Sequence, residues 1–450
     1  MRRFHPVLAT VAILILGVSS QPSSFEPAPA HDLRIKWPIR TINITLSSSL
    51  TEPAGNLVPD ADVLGAIDRA LNSWSVAAGV KFKVQHSKAQ SISPANRGDG
   101  INLITIAPTT ENLAIFSDSN NAARTRVFYD RESGDITEAD IVINPFPYSD
   151  AGELLQFSTD GTIGTYDFES TLAHEIGHLL GLSHSPVIGS TMQISQGLNG
   201  TNGLPAFTQR TLSEVDQHAV RELYGPCDDR AKVKGRILNN TQGQLLAANG
   251  AHVWIEDLIT GRVVASALAD HRGEFSIGCV SPGEYRAIVE YSDLSRAEQP
   301  GRGRSNGKSK QFRSVEINSG FSVTEDRTAV LNYVLVPPQN SPRLLRTRFF
   351  GAAGDLSTIA VPASAGSTVT IFIEGPGVDQ VPGNGFLISS PFITIDASTL
   401  TLQQPRNSAP VISFDVIVGE NVLPGDYTIR LQSNSGELTY LVGAITVEAK

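Results

Sequence analysis

The 450-residue chain is poor in cysteine, methionine and aromatics. Its two cysteines, Cys227 and Cys279, are too few for a disulfide-built scaffold. They lie far apart without local His or Cys partners, which also excludes a cysteine-lined metal site. Charged residues make up 18%, with 35 Lys and Arg against 45 Asp and Glu, and a net charge of −10. Without a basic face there is no footprint for nucleic acid. Long apolar runs are missing beyond the N-terminus, so the body of the chain has no membrane span. The N-terminus pairs a basic MRRFH with a short apolar stretch, 6–18, and small residues at Val18, Ser19 and Ser20. That reads as an export signal, residues 1–20, followed by a short linker, 21–32. The alternative is an uncleaved membrane anchor. In an exported chain the two cysteines suggest one disulfide, Cys227–Cys279, adding about 2–4 kcal/mol by closing a loop. Two buried free thiols are the other reading.

What is abundant is glycine (39), proline (26) and 40% hydrophobic residues, enough for two to four domains with real cores. Most informative are the residues from His174 to His184, HEIGHLLGLSH. On a helix, His174 and His178 share one face, one turn apart, and can bind one metal. Gly181 can turn the chain in a left-handed conformation and bring in His184. Three histidines leave one tetrahedral position open for water, and Glu175 is placed to act on that water as general base. The site therefore predicts one catalytic Zn²⁺. Asp167 suits the helix N-cap and Glu169 its first turn. Leu172, Ile176 and Leu179 form the stripe that buries against a sheet.

The segment HEIGHLLGLSHSPVIGSTM resembles the active site of the matrixins, a family of metzincin zinc proteases. The resemblance makes Met192 the Met-turn methionine, a support beneath the metal that does not bind it. Ser185 after the third histidine and the lack of Tyr at Ile194 favour matrixins over astacins and serralysins. TLSEVDQHAVRELYG (211–225) is similar to the final matrixin helix. VLGAIDRALNSWSVAAGVKFKV (63–84) is similar to the first helix and the strand after it, with Trp74 at the aromatic position. The similarity spans about 33–225. It implies that an extended substrate pairs with an edge strand made of Thr125, Arg126, Val127, Phe128 and Tyr129. There are departures. Ile194 replaces a common proline, which puts the wall of the primed-side pocket in doubt. Only His86 lies between Trp37 and Ser170, so no second, structural zinc is expected. No cysteine precedes the domain, so thiol-switch latency is not expected.

Along the chain, periodicity predicts strands at 39–46, 80–84, 101–106, 126–130 and 139–144, and helices at Val63–Ala78, at the histidine motif and before Gly225. This order fits an α/β catalytic domain with a twisted mixed sheet and three helices, which the resemblance implies is of metzincin type. Asp130, Glu132 and Asp135 admit a Ca²⁺ site, although no complete calcium-loop pattern is present. From 226 the character turns to short strands with regular turn signals. DHRGEFSI and SPGEYRAIVEY resemble the regulatory-like β-sandwich found beside carboxypeptidases, here 226–338. The basic, Gly-rich stretch 296–313 reads as a solvated loop. Period-two alternation from 341 to 450 reads as an immunoglobulin-like β-sandwich, for spacing, attachment or substrate capture. The expected protein is a secreted, monomeric zinc endopeptidase acting on protein or peptide substrates, periplasmic or cell-surface association being open. It has no nucleic-acid partner and no membrane span after signal cleavage. The alternative is a surface-binding or adhesion protein whose metal domain is accessory or inactive.

Overall fold

The computed structural model describes residues 14–17, 34–52, 56–94, 98–116, 120–149, 152–225, 231–241, 243–291, 314–325, 327–335, 349–352, 357–405 and 408–449. Most of the expected signal, Cys227 and the basic stretch 296–313 lie outside the described residues. The described chain divides into two compact units, one running to Ser183 and the other starting at His184.

The first unit is built on one mixed sheet. Its strands are β1 (Leu14–Gly17), β2 (Thr41–Ser47), β3 (Lys81–Ser87), β4 (Leu103–Thr105), β5 (Ala123–Tyr129) and β6 (Ile136–Ile143), in the order β1-β5-β6-β4-β2-β3. Only β5 and β6 are antiparallel; every other pairing is parallel. Three helices belong here: α1 (Val63–Ala78), the five-residue α2 (Thr110–Ala114) and α3 (Phe168–Leu179). A two-stranded pair, β7 (Phe157–Ser158) and β8 (Tyr166–Asp167), leads into α3.

Helix α1 follows from its sequence. Asp62 caps the N-terminus by accepting from Gly65 N, and Gly79, at φ +66°, ends the helix as a left-handed cap. Its apolar face, Ala66, Ile67, Ala70, Leu71 and Trp74, is buried. Ile42, Ile44 and Leu46 of β2, Ile104 of β4 and Ile141 to Ile143 of β6 are buried as well. Near-continuous apolar runs of this kind suit strands covered on both faces. α3 lies against α1, β5 and β6.

One expectation changes here. Thr125 to Tyr129 is not the sheet edge in the full chain, because β1 pairs with β5 in parallel, Leu14 opposite Arg126 through Gly17 opposite Tyr129. Extended apolar backbone at a free edge is an available pairing partner, which is the physical reason for the difference.

The second unit opens with an irregular stretch and α4 (Glu214–Tyr224), capped by a reciprocal capping box between Ser213 and Asp216. Then come two β-rich modules. The first holds β9 (Ala231–Thr241), β10 (Gln244–Ala247), β11 (Ala251–Asp257), β12 (Val263–Leu268), β13 (Glu274–Val280), β14 (Gly283–Tyr291), β15 (Val315–Val323), β16 (Thr328–Val330) and β17 (Tyr333–Leu335). One sheet runs β10-β9-β13, with β16 and β17 also on β9; the other runs β12-β11-β14-β15. Val233 and Ile277 from the first share a core with Val253, Ala287 and Val289 from the second.

The second module holds β18 (Phe349–Ala352), β19 (Val361–Ala363), β20 (Thr368–Glu374), β21 (Phe386–Ile388), β22 (Ile393–Gln403), β23 (Val411–Val418), β24 (Gly425–Gln432) and β25 (Leu438–Val447). Its sheets are β18-β20-β23-β22 and β19-β25-β24-β21, joined through Ile371, Phe414, Ile429 and Ile445. In each module a tyrosine hydroxyl reaches back four residues to a backbone carbonyl: Tyr285 to Ser281 at 2.9 Å and Tyr427 to Leu423 at 2.6 Å.

A separate apolar cluster crosses all parts of this unit. It joins Val187, Val215 on α4, Trp254, Val263 and Ile288 of the first module, and Tyr440 and Val442 of the second. No helix among the described residues is long and apolar enough to cross a membrane.

Candidate metal centre

Helix α3 carries the first two histidines, and its neighbours hold it by its backbone. The Asp167 side chain accepts from Ser170 N at 2.8 Å, the expected N-cap. Glu169 in the first turn pairs with Arg69 of α1 at 2.8 Å. Two buried indoles donate to carbonyls of the helix: Trp74 Nε1 to Ala173 O at 2.7 Å and Trp37 Nε1 to Leu179 O at 2.8 Å. Leu172, Ile176 and Leu179 are fully buried, as their spacing predicts. With the apolar stripe and two carbonyls engaged, rotation of the helix about its axis is blocked.

The helix ends at Leu180 and the chain reverses at Gly181, whose φ is +95°. Gly181 N donates to His178 O at 2.8 Å and Leu182 N to Gly177 O at 3.0 Å. A side chain at 181 has no room either, since a Cβ there would stand 2.1 Å from the Ile35 carbonyl oxygen. Glycine is thus required twice at this position, by backbone conformation and by close approach.

The reversal delivers His184. Nitrogen atoms of His174, His178 and His184 all lie within 4.8 Å of one another, the one such group of His, Cys or acidic residues among the described residues. His178 and His184 are buried and His174 is partly exposed. His178 Nδ1 is 2.7 Å from Leu182 O. A carbonyl only accepts, so Nδ1 carries the proton and Nε2 is the nitrogen that can ligate a metal. That Nε2 lies 3.1 Å from His174 Nε2. Two nitrogen ligands on one tetrahedral Zn²⁺ stand about 3.3 Å apart. The donor set and its spacing therefore fit zinc.

Glu175 points elsewhere on the same helix. It is buried, and its Oε2 accepts from Thr125 Oγ1 at 2.5 Å. The same hydroxyl is 3.0 Å from the Glu175 carbonyl oxygen. Burial pushes the Glu175 carboxyl up to about 7, against the Thr125 hydrogen bond and the charge of Arg124. A carboxyl poised near neutrality can both take and return a proton.

Met192 is buried. Ser185 N donates to its carbonyl at 2.8 Å, so the chain leaving His184 closes a loop onto the methionine. Asp216 holds this turn. Its carboxylate accepts from Thr191 N at 2.7 Å, Met192 N at 3.2 Å and Ser213 N at 3.0 Å. The hydroxyls of Ser190 and Ser213 donate to it as well. The sequence signal for Asp216 is its place three residues after the capping Ser213, the position of an N-terminal acceptor.

The strand residues divide by face. Thr125 touches Glu175 by its side chain, a contact that spacing alone did not suggest. Arg126 is buried on the other side; it pairs with Asp140 at 3.1 Å, donates to Ser93, and lies over the Phe128 ring at 5.1 Å. Val127 and Phe128 are buried and Tyr129 partly so. Glu138 completes this network, accepting from Ser93 Oγ at 2.6 Å and Gly100 N at 2.5 Å. Burial raises the Asp140 carboxyl to about 7.

The possible calcium site gains no support. Asp130, Glu132 and Asp135 form no gathered ligand set. Asp130 instead closes the turn between β5 and β6, accepting from Glu132 N at 2.8 Å and Ser133 N at 2.9 Å. A carboxylate that caps its own turn is committed locally. Cys279 is buried at φ +57°, and no described cysteine is free.

Comparison with known proteins agrees with the geometry. Residues 36–225 match the model of the matrixin family of peptidases. Interstitial collagenase of Equus caballus is 27% identical over 216 residues, 47% of this chain and 38% of that protein. Metalloendoproteinase 1 of Glycine max is 27% identical over 214 residues, 46% of this chain and 57% of that protein. Matrix metalloproteinase-21 of Xenopus laevis is 43% identical over 56 residues, 12% of this chain and 8% of that protein. The chain thus spans less than two thirds of the length of each of these relatives.

Proposed function

With a matrixin-type domain over residues 36–225, we propose that the protein is a secreted zinc endopeptidase that hydrolyses peptide bonds. The observation that carries this reading is the convergence of His174, His178 and His184 within 4.8 Å. Zn²⁺ held by these three histidines would polarise the scissile carbonyl and lower the pKa of a water to about 7. The chain's own residues do the rest. Glu175 takes a proton from the attacking water and returns one to the leaving amine. Thr125 orients the Glu175 carboxylate through its hydroxyl. Met192, fixed by Asp216, supports the turn that carries His184.

The domain plan expected from the sequence is part of this proposal. Residues 1–20 are a cleaved signal, 33–225 the protease, 226–338 a regulatory-like β-sandwich and 341–450 an immunoglobulin-like one. The tyrosine hydroxyls that reach back to Ser281 and Leu423 favour a sandwich in each module. Loss of the signal takes β1 with it and leaves β5 as the outer strand. Its main chain is then open to extended protein or peptide substrates. Cys227 and Cys279 form one disulfide.

Chelation tests the reading. Cleavage of a protein substrate must disappear on removal of metal and return with one equivalent of Zn²⁺. Metal-independent binding to a surface, with no cleavage under any condition, would favour the adhesion alternative.

A further inference from the structure

From the sequence, the second β-module reads as a sandwich for spacing, attachment or substrate capture. Its contacts within the second unit are of another kind. The chain between the third histidine and Gly197 touches it repeatedly. Ile188 N donates to Val442 O of β25 at 2.8 Å. Gln193 Nε2 donates to Thr358 O at 2.9 Å. Val187 shares the cluster with Val442 and Tyr440. Two glycines permit still closer approach: a Cβ on Gly189 would stand 2.1 Å from Asp426 Oδ1, and one on Gly197 would stand 2.3 Å from Ile359 Cδ1. Ile359, Asp426 and Val442 are all buried.

These contacts bracket the functional loop. On its inner side, Ser185 and Gln193 form a β-bridge, and Ser185 directly follows His184. Gln193 directly follows Met192. The residue that Thr358 holds is therefore bridged to the neighbour of the third ligand. A spacer or tether needs none of this. An outer shell that fixes a ligand's direction does, because a metal site tolerates little angular error in its donors.

We propose that the second β-module is a positioning element of the metal centre, holding the segment from Val187 to Gly197 through Val442, Thr358 and Ile359 and thereby setting His184. The proposal rests on the zinc-protease reading. It makes residues far along the chain determinants of zinc affinity and turnover.

The Gly197–Ile359 contact allows a size-swap test in the full chain. Ile359→Ala opens a gap under the segment, and Gly197→Ala pushes it off Ile359. Zinc dissociation is measured by competition with a chelator, together with kcat, KM and unfolding. Each single change is expected to weaken zinc binding about tenfold, the low end for outer-shell partners, and to lower kcat more than it changes KM. The pair should recover to near wild type, since the added methyl occupies the space vacated. Ile371→Val, within the module's own core, should lower stability while leaving zinc affinity and kcat unchanged. Single variants with wild-type zinc affinity and kcat, or a pair that is merely additive, would overturn the proposal while the protease reading stands. A wild type that binds no zinc would end both.

Discussion

Thr125 Oγ1 lies 2.5 Å from Glu175 Oε2 and 3.0 Å from the Glu175 carbonyl oxygen. One hydroxyl on strand β5 lies within hydrogen-bond reach of both the backbone carbonyl and the acid of Glu175 on α3. It has one proton, and the charged carboxylate is the stronger acceptor. Thr125→Val keeps the shape and removes the proton. We expect zinc to stay bound and kcat to fall roughly tenfold, about one charge-assisted hydrogen bond. The lost hydrogen bond had lowered the Glu175 pKa, so the acidic limb of the pH–rate profile should move to higher pH. An unmoved limb would count against Glu175 as the titrating base.

Gly181→Ala meets two obstacles, a φ of +95° and the Ile35 carbonyl. The two together should cost about 3 kcal/mol or more. Chemical unfolding of the metal-free protein measures the loss, and zinc competition should show weaker binding through a displaced His184. Wild-type values for both would contradict the role given to the turn.

Asp216→Asn replaces a carboxylate that accepts from three backbone N–H groups and two hydroxyls. An amide has one acceptor oxygen and turns a donor toward donors. Stability should fall by about 3 kcal/mol, and zinc affinity with it. Urea unfolding with and without zinc separates the two effects.

Asp426 gives a pH prediction. Burial first, then the charges of Asp216 and Glu214, raise its carboxyl to about 7, against a hydrogen bond from Thr446. Between its ordinary 3.8 and about 7 the folded state holds a proton that the unfolded state releases. Stability from this group is therefore present at low pH and lost as pH rises through that window. Asp426→Asn cannot ionise and should be the more stable form at pH 8, by up to about 4 kcal/mol. Asp140 titrates in the same range in both proteins, so the difference between their thermal stability curves isolates Asp426. Parallel curves would refute the assignment.

What was legible in the sequence was local. Helix α1 starts and stops where its cap, its glycine and its apolar spacing place it. The histidine motif, its Asp167 cap and the Gly181 turn are likewise short-range patterns, and the structure holds all three. Helix α2 escaped because five residues offer no periodic stripe. Strand β5 begins at Ala123 rather than Arg126, since Arg124 and Arg126 look exposed in a sequence and are buried here by acceptors from elsewhere. The cluster of Val187, Val215, Trp254 and Tyr440 joins residues hundreds of positions apart. Each satisfies its own local pattern, so nothing nearby announces the shared core.

The central claim is that three histidines hold a zinc and that Glu175 moves the proton. Its most direct test measures zinc content and cleavage of a quenched peptide library, for wild type and Glu175→Gln together. The account predicts one zinc per chain in both proteins and cleavage by wild type alone, with a loss of about 10²-fold or more in the variant. A wild type without zinc, or a folded, zinc-loaded Glu175→Gln that cleaves as fast as wild type, would contradict it.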